Sequence, residues 1–225
     1  MRRRFLEPKD VPNNRIYYLT SDMQKINVIL NPSVGETTSD YGFGSPMVSN
    51  EFNGKKFVIT CLSNITQIGR NSFNSTNLIN IQIPNSVTSI EEGAFYICTS
   101  LTSIEIPNSV TSIGNSVFEG CSRLTSIEIP DSVTSIGGNA FQYCSGLISI
   151  QIPNSVTSIG SSAFRYCSSL ILVYVKSTTP PILDGYVFNS NASGRKIYVP
   201  RASLNAYKTA EGWSKYASAI EPYDY

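Results

Sequence analysis

Histidine is missing from all 225 residues. The chain therefore lacks the one side chain that titrates near neutrality without perturbation. Ser-His and Cys-His nucleophile pairs are excluded, as is any His-ligated zinc site. Charge is also scarce. Charged residues make up 15% of the chain, against 41% hydrophobic, so the surface must rely on Ser, Thr, Asn and Gln. With 17 basic and 16 acidic residues the formal net charge is +1. No global field points to nucleic acid or to an anionic membrane. Arg2, Arg3 and Arg4 form a basic run that reads as a solvated, frayed terminus. No apolar run approaches the ~20 residues that span a bilayer. Met1 to Pro12 starts basic but has no apolar stretch behind it, so it does not read as a signal peptide. The chain then reads as a mature or truncated form, or as a protein kept inside the cell.

What is present is repetition. Four units of 23 residues follow one another without a gap, from Leu78, Leu101, Leu124 and Leu147. The second reads LTSIEIPNSVTSIGNSVFEGCSR. Pro84, Pro107, Pro130 and Pro153 fall in register, as do Phe95, Phe118, Phe141 and Phe164, and Cys98, Cys121, Cys144 and Cys167. A degenerate unit, Lys56 to Asn77, precedes them, and a sixth begins at Leu170 and departs from the pattern at Thr178. Self-similarity at this period is the mark of a solenoid.

Each unit has a physical reading. In LTSIEIP, Ile104 and Ile106 alternate with Ser103 and Glu105, the period of two of a strand with one buried face. Pro107 ends the strand because it has no N–H to donate. VTSIG is a second short extended piece, with Val110 and Ile113 inward and Gly114 at the corner. NSVFEGC is too short for a stable helix and predicts a helical or 3₁₀ turn that carries Val117, Phe118 and Cys121 into the core. Stacked turns then build Phe and Cys ladders.

The phrases IPNSVTSIG and AF-x-x-C-x-x-L resemble the BspA-like subfamily of leucine-rich repeats, over about Lys56 to Val175. The tail from Ile197 (IYVPRASLNAYKTAEGWSKYASAIEP) and the stretch NNRIYYLTSD from Asn13 resemble the ends of surface proteins of that family in gut-type Bacteroidetes. The resemblance implies a mainly β, right-handed leucine-rich-repeat solenoid. It also implies a cell-surface or extracellular location, with adhesion to host matrix proteins and co-aggregation. Members usually carry a secretion signal. This chain shows none, which leaves a cytoplasmic location open. The family offers no catalytic motif to carry over.

The expected organisation is one structural domain: an N-terminal cap region over 1–55, the solenoid over 56–177 and a C-terminal cap over 178–225. Both ends need covering, because a solenoid exposes a sheet edge and an apolar cross-section there. Arg15–Leu19 and Lys25–Leu30 predict an N-terminal β-hairpin. Lys196–Val199 predicts a strand, Ala202–Thr209 a helix and Trp213–Ala219 a helical turn, with Leu204, Tyr207, Trp213, Tyr216 and Ile220 over the last repeat.

The candidate binding residues face outward from the concave sheet. One expected row is Val58, Asn80, Ser103, Ser126, Ser149 and Leu172; the other is Thr60, Gln82, Glu105, Glu128, Gln151 and Tyr174. Glu105 and Glu128 would lie about 5 Å apart, as in a retaining glycosidase. An open sheet gives neither carboxyl an apolar pocket, so that reading is disfavoured. A Ca²⁺ site with Gln82 and Gln151 is also disfavoured, since the row offers too few oxygens. Tyr143 and Tyr166 form a candidate aromatic edge. The cysteines have no zinc spacing, and parallel Cβ vectors suit disulfides poorly, so they read as buried free thiols. No catalytic residue, metal or cofactor is expected. The chain reads as a monomeric, non-catalytic binding or adhesion module that meets protein, such as host extracellular matrix, or glycan. The alternative is a structural spacer that displays other domains of a longer surface protein.

Overall fold

The computed structural model describes residues 12, 13, 15–26, 43, 47–53 and 55–224. Its strands are β1 (Arg15–Thr20), β2 (Met47–Phe52), β3 (Phe57–Cys61), β4 (Gln67–Ile68), β5 (Leu78–Gln82), β6 (Ser89–Ile90), β7 (Ser112–Ile113), β8 (Ser135–Ile136), β9 (Ser149–Ile152), β10 (Ser158–Ile159), β11 (Leu172–Val175), β12 (Ile182–Leu183), β13 (Lys196–Pro200) and β14 (Ile220–Tyr223). Among the described residues one α-helix, α1, spans Leu204–Thr209. The fold is a β-solenoid of 23-residue turns, as the repeat predicts.

The VTSIG pieces form its most regular face. Strands β12-β10-β8-β7-β6-β4 make a six-stranded sheet, in which each neighbouring pair is parallel. In each two-residue strand the second side chain is buried: Ile68, Ile90, Ile113, Ile136, Ile159 and Leu183. Ser109 donates to the Val87 carbonyl one turn back; Ser132 and Ser155 repeat the bond to Val110 and Val133 at 2.6 and 2.7 Å. The serine that follows the conserved-register Asn or Asp is thus an inter-turn tie.

The LTSIEIP pieces form the front face, which is less uniform. The sheet is regular at the N-terminal end (β2-β3-β1-β5) and at the C-terminal end (β14-β13-β11-β9). Between them pairing narrows to two single bridges, Glu105↔Glu128 and Glu128↔Gln151.

The third segment of each turn departs from expectation. It is not a 3₁₀ helix. Two positions per turn lie in the left-handed region, for example Ser116 at φ 53° and Gly120 at φ 75°. Each such residue breaks the helical run and turns N–H groups toward the next turn. Phe118 N–H donates to Ala140 O at 2.8 Å, while Glu119 N–H closes a local turn onto Ser116 O. Half the donors therefore tie turns together instead of closing a helix.

The core is laddered. Phe73, Phe95, Phe118, Phe141, Phe164 and Phe188 stack at centroid distances of 5.1–5.6 Å with interplanar angles of 2–19°. Beside them the thiols of Cys98, Cys121, Cys144 and Cys167 donate to the carbonyls of Phe73, Phe95, Phe118 and Phe141, at 3.0–3.2 Å. Cys is thus small enough for the layer and supplies a weak second donor to carbonyls such as Phe118 O, which already accepts from Cys121 N–H. All five cysteines are buried and none is in a disulfide.

Of the expected hairpin, residues 27–30 lie outside the described residues, and its first strand is β1. Both its edges are occupied, by β3 on one side and β5 on the other, antiparallel to each. The hairpin present is β2–β3. β1 is thus wedged between the degenerate unit's front strand and the first regular one. The wedge is locked by polar groups. Tyr18 Oη donates to Asn50 Oδ1 at 2.7 Å and accepts from Ile26 N–H, and Asn50 Nδ2 donates to Ile26 O.

At the other end the pattern outlasts its sequence signature. After Thr178 the turn still closes: β12 pairs with β10, and Phe188 stacks on Phe164. β13 and β14 extend the front sheet. Trp213 and Tyr216 then lie against Phe188 at 5.9 and 5.6 Å and end the aromatic ladder. Trp213 Nε1 donates to Pro181 O at 2.7 Å, and Tyr207 Oη to Ser177 O at 2.8 Å. Rings close the apolar cross-section while their polar ends satisfy loop carbonyls.

Candidate binding surfaces

The front-face rows run through the bridges already described. Along one row Glu105, Glu128, Gln151, Tyr174, Tyr198 and Glu221 are successive partners, and at the N-terminal end Tyr17 pairs with Gln82. Glu105, Glu128 and Gln151 are exposed. Along the other, Ser103 and Ser126 are exposed, and Ser149 and Leu172 half-buried.

Three placements differ from the expected rows. Val58 and Thr60 are not adjacent to Asn80 and Gln82, because β1 stands between: Val58 pairs with Tyr17 and Thr60 with Arg15. Gln82 is buried, and its side-chain carbonyl accepts from Lys56 Nζ at 2.7 Å. Lys56 also sits over the Tyr17 ring at 4.1 Å. Gln82 is therefore part of the N-terminal cap's underside instead of an open contact position. A one-strand insertion from a segment with no repeat signature caused all three differences.

At the C-terminal end the row becomes aromatic. Tyr174 stacks on Tyr198 at 5.1 Å, and Tyr223 meets both edge-on at 5.5 and 5.9 Å. Lys196–Glu221 and Arg201–Asp224 ion pairs flank the cluster. Tyr198 was legible as the equivalent of Tyr174, since IYVP alternates as LVYV does. Tyr223 was not, because β14 has no repeat pattern; only its pairing with Pro200 brings it to the cluster.

Tyr143 and Tyr166 lie elsewhere, at the corner where each third segment turns into the next front strand. Their rings stack at 4.8 Å with an interplanar angle of 4°. The stack continues beyond Tyr166. The Arg165 guanidinium lies 4.5 Å from the Tyr166 ring and 5.5 Å from the Tyr186 ring, and Nη2 donates to Tyr166 Oη at 2.9 Å.

The thiols offer no reactive centre. Burial pushes Cys98 up to about 11 and Cys167 to about 12. Cys144 is raised well above the ordinary thiol value by burial first, then by Cys121, Cys167 and Glu119. Among the described residues no group of three or more His, Cys, Asp or Glu is placed to hold a metal ion. Nor, among them, is any helix long and apolar enough to cross a membrane.

Three comparisons bear on what this surface belongs to. A model of the BspA type leucine rich repeat region matches residues 58–200 in six copies. Among solved structures, a leucine-rich repeat protein from Bacteroides ovatus ATCC 8483 is 29% identical, with a TM-score of 0.51, over 68% of this chain and 46% of its own. A leucine rich cell surface protein from Faecalibacterium prausnitzii A2-165 is 38% identical over 52% of this chain and 31% of its own, with a TM-score of 0.48. A leucine rich repeat protein from T. pallidum shares the fold at 22% identity and a TM-score of 0.51, over 77% of this chain and 83% of its own. The chain spans less than half the length of the Bacteroides and Faecalibacterium proteins. No curated protein matches it.

Proposed function

The chain belongs to the BspA type leucine-rich-repeat family, and from that premise we propose that it is a non-catalytic binding or adhesion module of a bacterial surface protein, with the front face as its contact surface. One observation carries the reading. An exposed acidic row, Glu105 and Glu128, runs through Gln151 into the tyrosines Tyr174, Tyr198 and Tyr223, on a solenoid whose core is complete without them. Tyrosines present rigid, amphipathic area at little entropic cost, and neighbouring carboxylates select a partner by charge. The partner that fits is a protein with basic and apolar groups side by side. Surface location is supported by the Faecalibacterium relative, which is described as a cell surface protein. Repeat proteins of this fold typically do no chemistry.

The test is a screen of the intact chain against immobilised extracellular-matrix proteins and host glycans. Saturable binding to a matrix protein, weakened by salt, is the expected result. Silence across both arrays would instead favour a spacer that holds other domains apart.

A further inference from the structure

The register of the last two front strands builds a small corner. Ile197 pairs with Ile220, so the residues that lead into each strand also meet. On one side is the loop 192–196, which turns through Gly194 at φ 78° and closes by Arg195 N–H to Ala192 O at 3.2 Å. On the other is the end of the 3₁₀ helix Ser214–Ala219. Together they enclose a pocket of about 310 Å³. Its lining is Ala192, Gly194, Arg195, Lys196, Ser218 and Ala219: two basic residues, no acidic one and no large apolar side chain. The volume lies at the small end of the roughly 300–1,000 Å³ of ligand pockets, which suits a single ring.

Arg195 is held in place from behind and lacks a counter-ion in front. Its Nη1 donates to Phe188 O and, at 3.1 Å, to Asn191 Oδ1. Asn191 is itself fixed, because its Nδ2 donates to Phe164 O at 2.7 Å. The guanidinium carbon lies 5.2 Å from the centre of the Tyr216 ring and 5.8 Å from that of Phe188. Nε is buried without a hydrogen-bond partner. Nη2 is neither bonded nor buried unpaired among the described residues, so it is the donor that remains for the pocket. No carboxylate of the described residues pairs with Arg195, whereas Lys196 pairs with Glu221. Burial pushes the guanidinium below the ordinary arginine value, against a smaller opposing effect of Tyr216. A neutral amide could make the inward bonds, as Asn191 does to Phe164 O. A half-buried charge without a counter-ion costs free energy that those bonds do not require.

We infer that this pocket receives the carboxylate of an acidic sugar. Arg195 Nη2 supplies the charge-assisted bond, from a guanidinium that its inward bonds fix before the ligand arrives. Lys196 adds positive field, reduced by its pairing with Glu221. Ser218 is exposed and offers a hydroxyl to the ring. Ala192, Gly194 and Ala219 give no aromatic or long aliphatic floor, so a fatty or aromatic acid gains little here, while a ring covered in hydroxyls loses little. A Cβ on Gly194 would meet nothing within 4 Å, so that side is open for the rest of a glycan to leave. Glu105 and Glu128 would repel the same ligand. The pocket is therefore a site separate from the acidic row, and it does not rest on the front-face reading.

The test is an NMR titration of the full chain with methyl β-glucopyranosiduronate, carried into tens of millimolar. Methyl β-glucopyranoside, N-acetylglutamate amide and sodium sulfate are run in parallel. The glucuronide should shift the Gly194, Arg195 and Ser218 amide signals saturably, and added sodium chloride should weaken it. The neutral glucoside should leave them in place, and the glutamate amide and sulfate should bind more weakly than the glucuronide. Arg195→Ala should weaken binding about tenfold or more, the size of a lost charge-assisted bond. Ser218→Glu, at an exposed position, puts a carboxylate into the pocket and should abolish the shifts at a melting temperature no lower than wild type. That variant keeps the test decisive even if Arg195→Ala loosens the cap. The triple variant Glu105→Gln, Glu128→Gln, Tyr174→Ala should titrate like wild type, which separates this site from the front face. No response to the glucuronide, or an equal response to the glucoside, would overturn the inference. So would undiminished binding by Ser218→Glu. Equal binding of the glutamate amide or of sulfate would overturn the sugar assignment and make the pocket an acidic-peptide or simple anion site.

Discussion

A single thiol in this core answers to two demands. Its sulfur must fill a space beside the phenylalanine stack, and its hydrogen must reach a carbonyl one turn back. Neither demand involves reactivity. The consequence is a pH dependence. Burial raises the folded-state values, to about 11 for Cys61 and Cys98 and about 12 for Cys167, above the ordinary 9.0. The folded state therefore holds these protons more tightly than the unfolded chain. Their stabilisation is intact below pH 9 and is lost as pH rises through 11 to 12, by about 1.4 kcal/mol per pH unit for each thiol. Replacing Cys98 and Cys167 with Ala should make the fall in unfolding free energy between these pH values shallower, as read from urea titrations at fixed pH. An equally steep fall in the variant would mean that the thiols are not held protonated by the fold.

At the scale of the element, the turns approach one another more closely than side chains usually permit. A Cβ on Gly137 would sit 2.6 Å from Asn115 N and Gly114 C in the turn before it. Gly137→Ala should therefore push two turns apart locally and cost about 1–3 kcal/mol. A melt equal to wild type would show that the corner is slack. Most of these elements were legible in the sequence. The alternation in LTSIEIP, the inward Ile of VTSIG, the Phe and Cys ladders and the C-terminal helix all followed from period and polarity. The third segment was misread because left-handed residues leave no compositional mark when Ser, Asn, Ile and Tyr occupy them. The N-terminal wedge was misread because nothing in RIYYLT tells a cap strand from an inserted one. Only the occupied edges of β1 decide that. The same insertion hid the burial of Gln82. The tyrosine cluster was half legible, through Tyr174, and completed by strands outside the repeat.

The whole molecule is close to one-dimensional. Each regular turn contacts its neighbours through the same ladders, and the two caps close the ends. Stability in such a stack is a sum of turn and interface contributions. Excision of residues 101–123, one full turn with its own Phe and Cys, should therefore leave a cooperative solenoid. It should melt lower and show a smaller urea m-value in proportion to the surface removed. A chain that no longer folds would mean that the regular turns are not interchangeable. The same architecture places Glu105, Glu128 and the ring edge of Tyr174 outside the Phe and Cys ladders of the core.

That separation of fold from contact surface is the central claim, and one paired measurement tests it. The chain and its Glu105→Gln, Glu128→Gln, Tyr174→Ala variant are compared on the same immobilised partner, with their thermal melts recorded alongside. Binding should fall at least tenfold while the melting temperature stays put. Unchanged affinity at an unchanged melting temperature would place the contact surface elsewhere on the solenoid.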